Sequence, residues 1–260
     1  MMIWTNAEIG QAPISVTVSD QPALLEDLRR RFENGQGFSV ATLNLDHVVK
    51  LSRDLAFSDA YARHSHITAD GRPIVWLARL AGQKEVTLVP GSELIEPVSK
   101  LASQMDVPVA LLGSSKNSLD LAAKALQTRH ARLRIVGRFV PSMGFDPAGA
   151  EADQAIENIR NCGAKLVFLA LGAPKQECFA ARAQDRLPHV GFISVGAGLD
   201  FISGIQTRAP KWVRGLAAEW LWRLLSDPVR LSGRYLACLV ILPRYTARAL
   251  LAGRKRKTAL

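Results

Sequence analysis

The chain has 260 residues, 48% of them hydrophobic, and a net charge of +10. That content excludes a disordered chain and suits one α/β domain, alone or with an appendage. The cysteines Cys162, Cys178 and Cys238, with no Cys-x-x-Cys pair among them, encode neither a disulfide framework nor a structural zinc site and fit a reducing, cytoplasmic setting.

In chain order, Ile14 to Val18 alternates as a strand does, and Asp20 with Pro22 starts a helix to about Phe32 whose apolar face is Leu24, Leu25 and Leu28. Asn34-Gly35 ends it. Phe38 to Leu43 reads as a buried strand, Asn44 to Asp46 opens a helix at about His47, and a short apolar approach leads to Asp70. A helix from Pro73 to about Leu80 follows, then one to about Gln104 with Ser92 as its cap. Strands at Val107 to Leu112, Leu133 to Val140, Lys165 to Leu171 and Val190 to Val195 then alternate with helices from Asn117, Glu151 and Lys175. Apolar β-rich runs alternating with amphipathic helices predict a Rossmann-like parallel sheet covered on both faces, an α/β fold. In such a sheet the ligand lies beyond the carboxyl ends of the strands.

The composition changes after about Thr207, which divides the chain into an α/β catalytic domain, residues 1–207, and a basic, tryptophan-rich helical appendage, residues 208–260. From Arg208 onward twelve basic residues face two acids, so this stretch carries the whole net charge while the preceding residues balance, 21 against 21. Trp212, Trp220 and Trp222 fall here among arginines. Tryptophan suits a membrane interface and arginine reaches headgroups or diphosphates; the same helices can equally close the domain core. The partner of the basic end is anionic. Met1 to Gly10 lacks a secretory signal pattern. The eight-residue apolar run Tyr235 to Leu242 ends at Pro243, short of the roughly 20 residues of a spanning helix.

No complete nucleotide fingerprint is present. Gly196-Ala197-Gly198-Leu199-Asp200-Phe201 lacks the third dinucleotide glycine, and Gly113-Ser114-Ser115-Lys116 lacks the early glycine of a P-loop, though each is a strand-to-helix turn whose amides can face a phosphate. His64-Ser65-His66 lacks a third metal ligand, and no Gly-x-Ser-x-Gly elbow supports a Ser-His-Asp site. Gly172 to Glu177 turns closely after a strand and presents Lys175, for phosphate, and Gln176, for a sugar or base, or simply starts a helix. Asp70-Gly71 with Pro73 is, taken alone, turn chemistry.

In their shared order, Thr42 to His47, Ala69 to Pro73, Pro90 to Leu94, Gly172 to Glu177, Val195 to Phe201, Arg208-Ala209-Pro210, Glu219 to Pro228 and Arg230 to Tyr235 resemble the WecG/TagA/CpsF family of bacterial glycosyltransferases, glycosyltransferase family 26. The resemblance implies inverting transfer, without a metal ion or other cofactor, of a sugar from a UDP-sugar to a sugar on a polyprenyl diphosphate. The setting it implies is the cytoplasmic face of the inner membrane, with the enzyme bound peripherally. It places Asp70 as general base, Thr42 and Asn44 beside the acceptor or catalytic site, Gln176 near the reacting sugar and Asp200 in the nucleotide region. Arg223, Arg230 and Arg234 are implied to face the lipid diphosphate. Leu88 stands where the family often has arginine, Glu93 replaces an aspartate, Leu199 a phenylalanine, and Gly233 a common basic residue. Nucleic acid is not an implied partner; a homo-oligomer is compatible with the family. The alternatives are a non-catalytic nucleotide-sugar-binding membrane protein and a nicotinamide oxidoreductase, the latter weakened by the incomplete dinucleotide glycines.

Overall fold

The computed structural model describes residues 2–5, 10–207, 222, 224, 225 and 227–257. Among these, strands β1 (Phe38–Leu43), β2 (His66–Ala69), β3 (Val109–Gly113), β4 (Ile135–Phe139), β5 (Leu166–Ala170) and β6 (Gly191–Ser194) form one sheet in the order β2-β1-β6-β5-β3-β4. Every pairing is parallel. The expected α/β fold is therefore present. The helices are α1 (Gln21–Glu33), α2 (Leu45–Leu51), α3 (Leu55–Ala62), α4 (Arg72–Leu80), α5 (Gly91–Gln104), α6 (Lys116–Arg129), α7 (Ala150–Asn161), α8 (Lys175–Arg186), α9 (Gly198–Ser203) and α10 (Pro228–Lys257).

Strand alternation sorts the core into layers. Val40, Val109, Leu111, Phe168 and Ile193 pack with α1, α5, α6 and α9 on one face. Ala110, Leu112, Val167, Leu169 and Phe192 pack with α7 and α8 on the other. Around β1 and β2, Ala41, Leu43, Ile67 and Ala69 join α2, α3, α4 and α10. Helix starts follow their caps: Asp20 accepts from the Ala23 amide, Asn44 from His47, Asp54 from Phe57 and Ser115 from Ser118.

Four details differ from the sequence reading. Ile14 to Val18 is not a strand; it runs along the outer edge of β2, where the Thr17 amide donates to the Ile67 carbonyl at 2.9 Å and the Ile67 amide to Thr17 Oγ1 at 2.8 Å. A side-chain oxygen thus replaces a ladder acceptor and blunts the sheet edge. Helix α3 lies in a stretch without an assigned element. Helix α5 begins at Gly91 with Pro90 before it, one residue ahead of the expected cap Ser92.

The fourth difference is α10. It continues through Pro243, and Leu231–Arg254, 24 residues, is long and apolar enough to cross a membrane by length and composition. Pro243 removes one backbone donor, and the helix spans it because docked side chains lie before and after it. Cys238, Tyr245 and Ala249 are buried, the Tyr245 hydroxyl donates to the Trp4 carbonyl at 2.9 Å, and Arg248 Nη2 donates to the Thr5 carbonyl at 3.0 Å. The other face exposes Leu236, Leu239, Val240, Leu250 and Leu251.

Helix α5 is seated on the sheet by a close approach. A Cβ on Gly91 would lie 2.4 Å from the Ser194 carbonyl oxygen and 3.2 Å from the Val195 Cα. Both are backbone atoms, so the helix itself would have to move. Gly91→Ala is expected to lower stability by about 1–3 kcal/mol, read as a fall in the denaturant midpoint at unchanged m-value.

Candidate active site

The site is assembled where the strands end. In the β1–β2 register Leu43 lies opposite Ala69, and the Asp70 amide donates to the Leu43 carbonyl at 2.7 Å. The residues just beyond the two strands, Asn44 and Asp70, are thereby neighbours. Asn44 Oδ1 accepts from the His47 amide at 3.0 Å, while Asn44 Nδ2 donates to Asp70 Oδ2 at 3.4 Å, a long bond. Capping α2 fixes the amide flip that faces the carboxylate. Gly71, with φ +94°, turns the chain directly into α4, a conformation that side-chain-bearing residues adopt at a cost. Asp70 is consequently held at a strand end, half-buried, with a donor aimed at it.

Thr42 is buried on β1 beside the entry to α5: the Cβ position of Gly91 is 3.3 Å from Thr42 Cγ2. Lys175 and Gln176 open α8 beyond β5. Lys175 is half-buried, but Gln176 is only 3% exposed; its Oε1 accepts from the Gly196 amide at 3.2 Å and its Nε2 donates to Glu177 Oε1 at 2.8 Å. Gln176 thus locks the β6–α9 turn to the start of α8. Asp200, on α9, is bound by the Ser114 hydroxyl, by the Ser118 hydroxyl at 2.6 Å and by Gln206 Nε2 at 3.2 Å. The two incomplete glycine turns of the sequence are tied together through this carboxylate.

Arg234, on α10, pairs through Nε with Asp46 Oδ1 at 3.1 Å. Arg223, with Arg208-Ala209-Pro210, Trp212, Glu219, Trp220 and Leu221, lies outside the described residues, as does the side chain of Arg230. The structure therefore brings Asn44 to Asp70, Gln176 to the Gly196 turn, Asp200 to the Ser114 turn and Arg234 to α2. Leu88, at the position of the missing arginine, is exposed. No group of three or more His, Cys, Asp or Glu side chains is arranged to hold a metal ion among the described residues.

His64 and His66 are buried separately, His64 Nδ1 lying 3.0 Å from the Ala60 carbonyl oxygen and His66 Nε2 2.7 Å from Asp27 Oδ2. Ser65 Oγ lies 2.8 Å from His66 Nδ1, so a Ser-His-Asp string does exist, at the amino end of β2 and away from Asp70. Its serine also accepts from the Ser39 amide at 2.9 Å and lies 3.0 Å from the Ser39 carbonyl oxygen. That hydroxyl continues the β1–β2 pairing below the last rung, a structural employment.

Sequence reasoning missed the burial of Glu177. It is 0% exposed, and its Oε2 has no hydrogen-bond partner. Burial pushes its carboxyl up to about 7; the Gln176 bond, its own amide and the charge of Lys50 pull the other way, and Asp46 adds to the rise. Tyr61, whose hydroxyl is pushed upward by burial and then by Glu177 and Asp70, lies between these two acids electrostatically. His47 is driven down to about 3 and His64 to about 4, in both cases first by burial. An acid in the first turn of a helix reads from sequence as a partner of the helix dipole; the groups that interact with it, Lys50, Asp46 and Tyr61, come from distant segments.

A family model of the glycosyl transferase WecG/TagA/CpsF family matches residues 9–259. The match covers the strand ends just described and α10 alike.

Glu177 sets a pH dependence whose sign is fixed. An unfolded glutamate ionises near 4.5 and the folded group near 7; between these values the unfolded chain holds fewer protons, so this group's contribution to stability is full below 4.5 and lost as pH rises through 7. Glu177→Gln keeps an acceptor for Gln176 and removes the titration. The mutant is expected to gain on the native chain by an amount of order 3 kcal/mol between pH 4.5 and 8, measured as the difference of two denaturation series; the difference cancels the histidines, which act oppositely. With nearly the whole chain matched, the protein belongs to the WecG/TagA/CpsF family of glycosyl transferases.

Proposed function

We propose that the protein is an inverting hexosyltransferase that moves a sugar from a UDP-sugar to a sugar carried on a polyprenyl diphosphate, in bacterial surface or exopolysaccharide synthesis, with no metal ion required. The observation that carries this reading is the Asn44–Asp70 pair at the ends of adjacent parallel strands. Asp70 is the general base: it takes the proton of the acceptor hydroxyl as that oxygen bonds to the anomeric carbon. The bond from that carbon to the UDP oxygen breaks on the opposite face, and its electron pair leaves with UDP. Asn44 orients the base and Thr42 borders the acceptor. Lys175 and the amides at the start of α8 balance the departing diphosphate. Gln176 fixes the turn beside the reacting sugar, and Asp200 holds the two turns nearest the nucleotide.

The acceptor is a lipid, so the enzyme works at the cytoplasmic face of the inner membrane. Support comes from α10, whose one face is docked on α2 and α4 while the other is apolar and exposed. Arg234, Arg244, Arg248 and Arg254 lie within the span Leu231–Arg254, which suits a helix lying peripherally in the headgroup layer better than one crossing it. In this reading residues 208–260 form the lipid-facing appendage of the catalytic domain 1–207, with Arg223, Arg230 and Arg234 directed to the lipid diphosphate.

The test uses the full chain, vesicles carrying a synthetic polyprenyl-diphosphate sugar, a panel of UDP-sugars and EDTA. Transfer and UDP release are expected with at least one donor, and Asp70→Asn is expected to lower kcat by about 10²–10⁴-fold with donor binding retained. Donor binding without turnover would establish the non-catalytic reading instead. Transfer unaffected by Asp70→Asn would remove that carboxylate from the chemistry.

A further inference from the structure

We propose that Asp46 is a positioning residue, holding the α10 arginine Arg234 and the β5–α8 turn in one fixed relation to the Asn44–Asp70 pair. The inference deepens the function proposed above and rests on it for its kinetic consequence. Asp46 stands two residues after Asn44, in the first turn of α2, and is 9% exposed. A carboxylate so enclosed is retained in charged form only with partners for its oxygens. Here each oxygen has a different cation. Oδ2 accepts from Lys50 Nζ at 2.7 Å and Oδ1 pairs with Arg234 Nε at 3.1 Å.

Lys50 extends the chain of contacts, since its Nζ also donates to the Ala173 carbonyl at 3.2 Å. That carbonyl immediately precedes Pro174, Lys175 and Gln176. One carboxylate therefore joins three segments that meet nowhere in sequence: the helix capped by the Asp70 partner, the turn that presents Lys175 and Gln176, and the helix proposed to lie on the lipid. The cluster is completed by groups that feel its charges. His47 is influenced by Lys50, Asp46 and Arg234, Glu177 by Lys50 and Asp46, and the Cys238 thiol of α10 by Asp46, Arg234 and Lys50.

The geometry also aims Arg234. Asp46 lies on the Nε side of the guanidinium as a close ion pair, without hydrogen-bond alignment. The side chain is 37% exposed while its Nε is buried. A guanidinium held by an ion pair on one side and partly open to solvent suits a diphosphate, whose oxygens accept two parallel N–H bonds. An aspartate that merely favoured the α2 dipole would need neither Lys50 nor Arg234.

The experiment is hydrogen exchange by mass spectrometry on the full chain, with Asp46→Asn, Arg234→Gln and the double variant, followed by transfer kinetics. Arg234 is linked to residues 171–177 through Asp46 and Lys50. Arg234→Gln is expected to speed exchange there about tenfold, the scale of a modest coupling between sites. Asp46→Asn is expected to do the same in that turn and in α10, with the double variant no worse than Asp46→Asn. In vesicles, Asp46→Asn is expected to raise KM for the lipid-linked acceptor about tenfold with KM for the UDP-sugar unchanged, and Asp46→Glu to recover most of it. Native exchange at residues 171–177 in Arg234→Gln, or single effects that multiply in the double variant, would overturn the proposal. If Asp46→Asn does not fold, Arg234→Gln decides alone. If the native chain transfers no sugar, the function fails separately and the exchange data still decide the coupling.

Discussion

The bond from the Asp70 amide to the Leu43 carbonyl is the rung on which the site depends. It is made one residue past the last register pair of β1 and β2, so the side chains that follow each strand come out side by side. A parallel pair has both carboxyl ends at the same edge, which an antiparallel pair cannot offer. One of the two residues is a carboxylate and the other an amide that has already spent its oxygen on a helix cap. The turn at Gly71 and the helix α2 then lead away in different directions and leave the pair at the rim.

Much of this frame is written locally. Phe38 to Leu43 is apolar or small throughout and coincides with β1, and Asn44 is recognisable as a cap because a short amide can satisfy the first turn. The order of motifs from Thr42 to Tyr235 likewise pointed to the glycosyl transferase family whose model matches residues 9–259. What was not legible depends on partners far along the chain. Ile14 to Val18 alternates like a strand, but the Ile67 amide of β2 donates to the Thr17 hydroxyl in place of a backbone carbonyl, so a full ladder does not form. Pro243 reads as a stop, because the contacts that carry a helix past it, from Tyr245 to Trp4 and from Arg248 to Thr5, are over 240 residues distant. Lys50 on the surface of a helix gives no hint that the Ala173 carbonyl accepts a hydrogen bond from it. Arg223 and the side chain of Arg230 fall outside the described residues, so the roles their motif implies rest on the family pattern alone.

The same interior holds titrating groups that pull in opposite directions. Glu177 prefers to be neutral and loses stability as pH rises, while His47 and His64 prefer to be neutral and lose it as pH falls. Burial, more than any neighbouring charge, sets the direction of all three shifts. Their windows overlap between the ordinary glutamate and histidine values, where the opposing slopes cancel in part.

The clasp between Tyr245 and Trp4 has a temporal side. It closes a loop of 241 residues, and a contact of such separation forms only after the intervening chain has been made and its entropy has been reduced by the folded sheet. Helix α10 leaves the ribosome after every strand, and the surface it needs, shared by the N-terminal segment, α2 and α4, is by then complete. The apolar stripe on its outer face thus becomes oriented only on a finished domain. A chain stopped short of that point has a sheet without its basic helix.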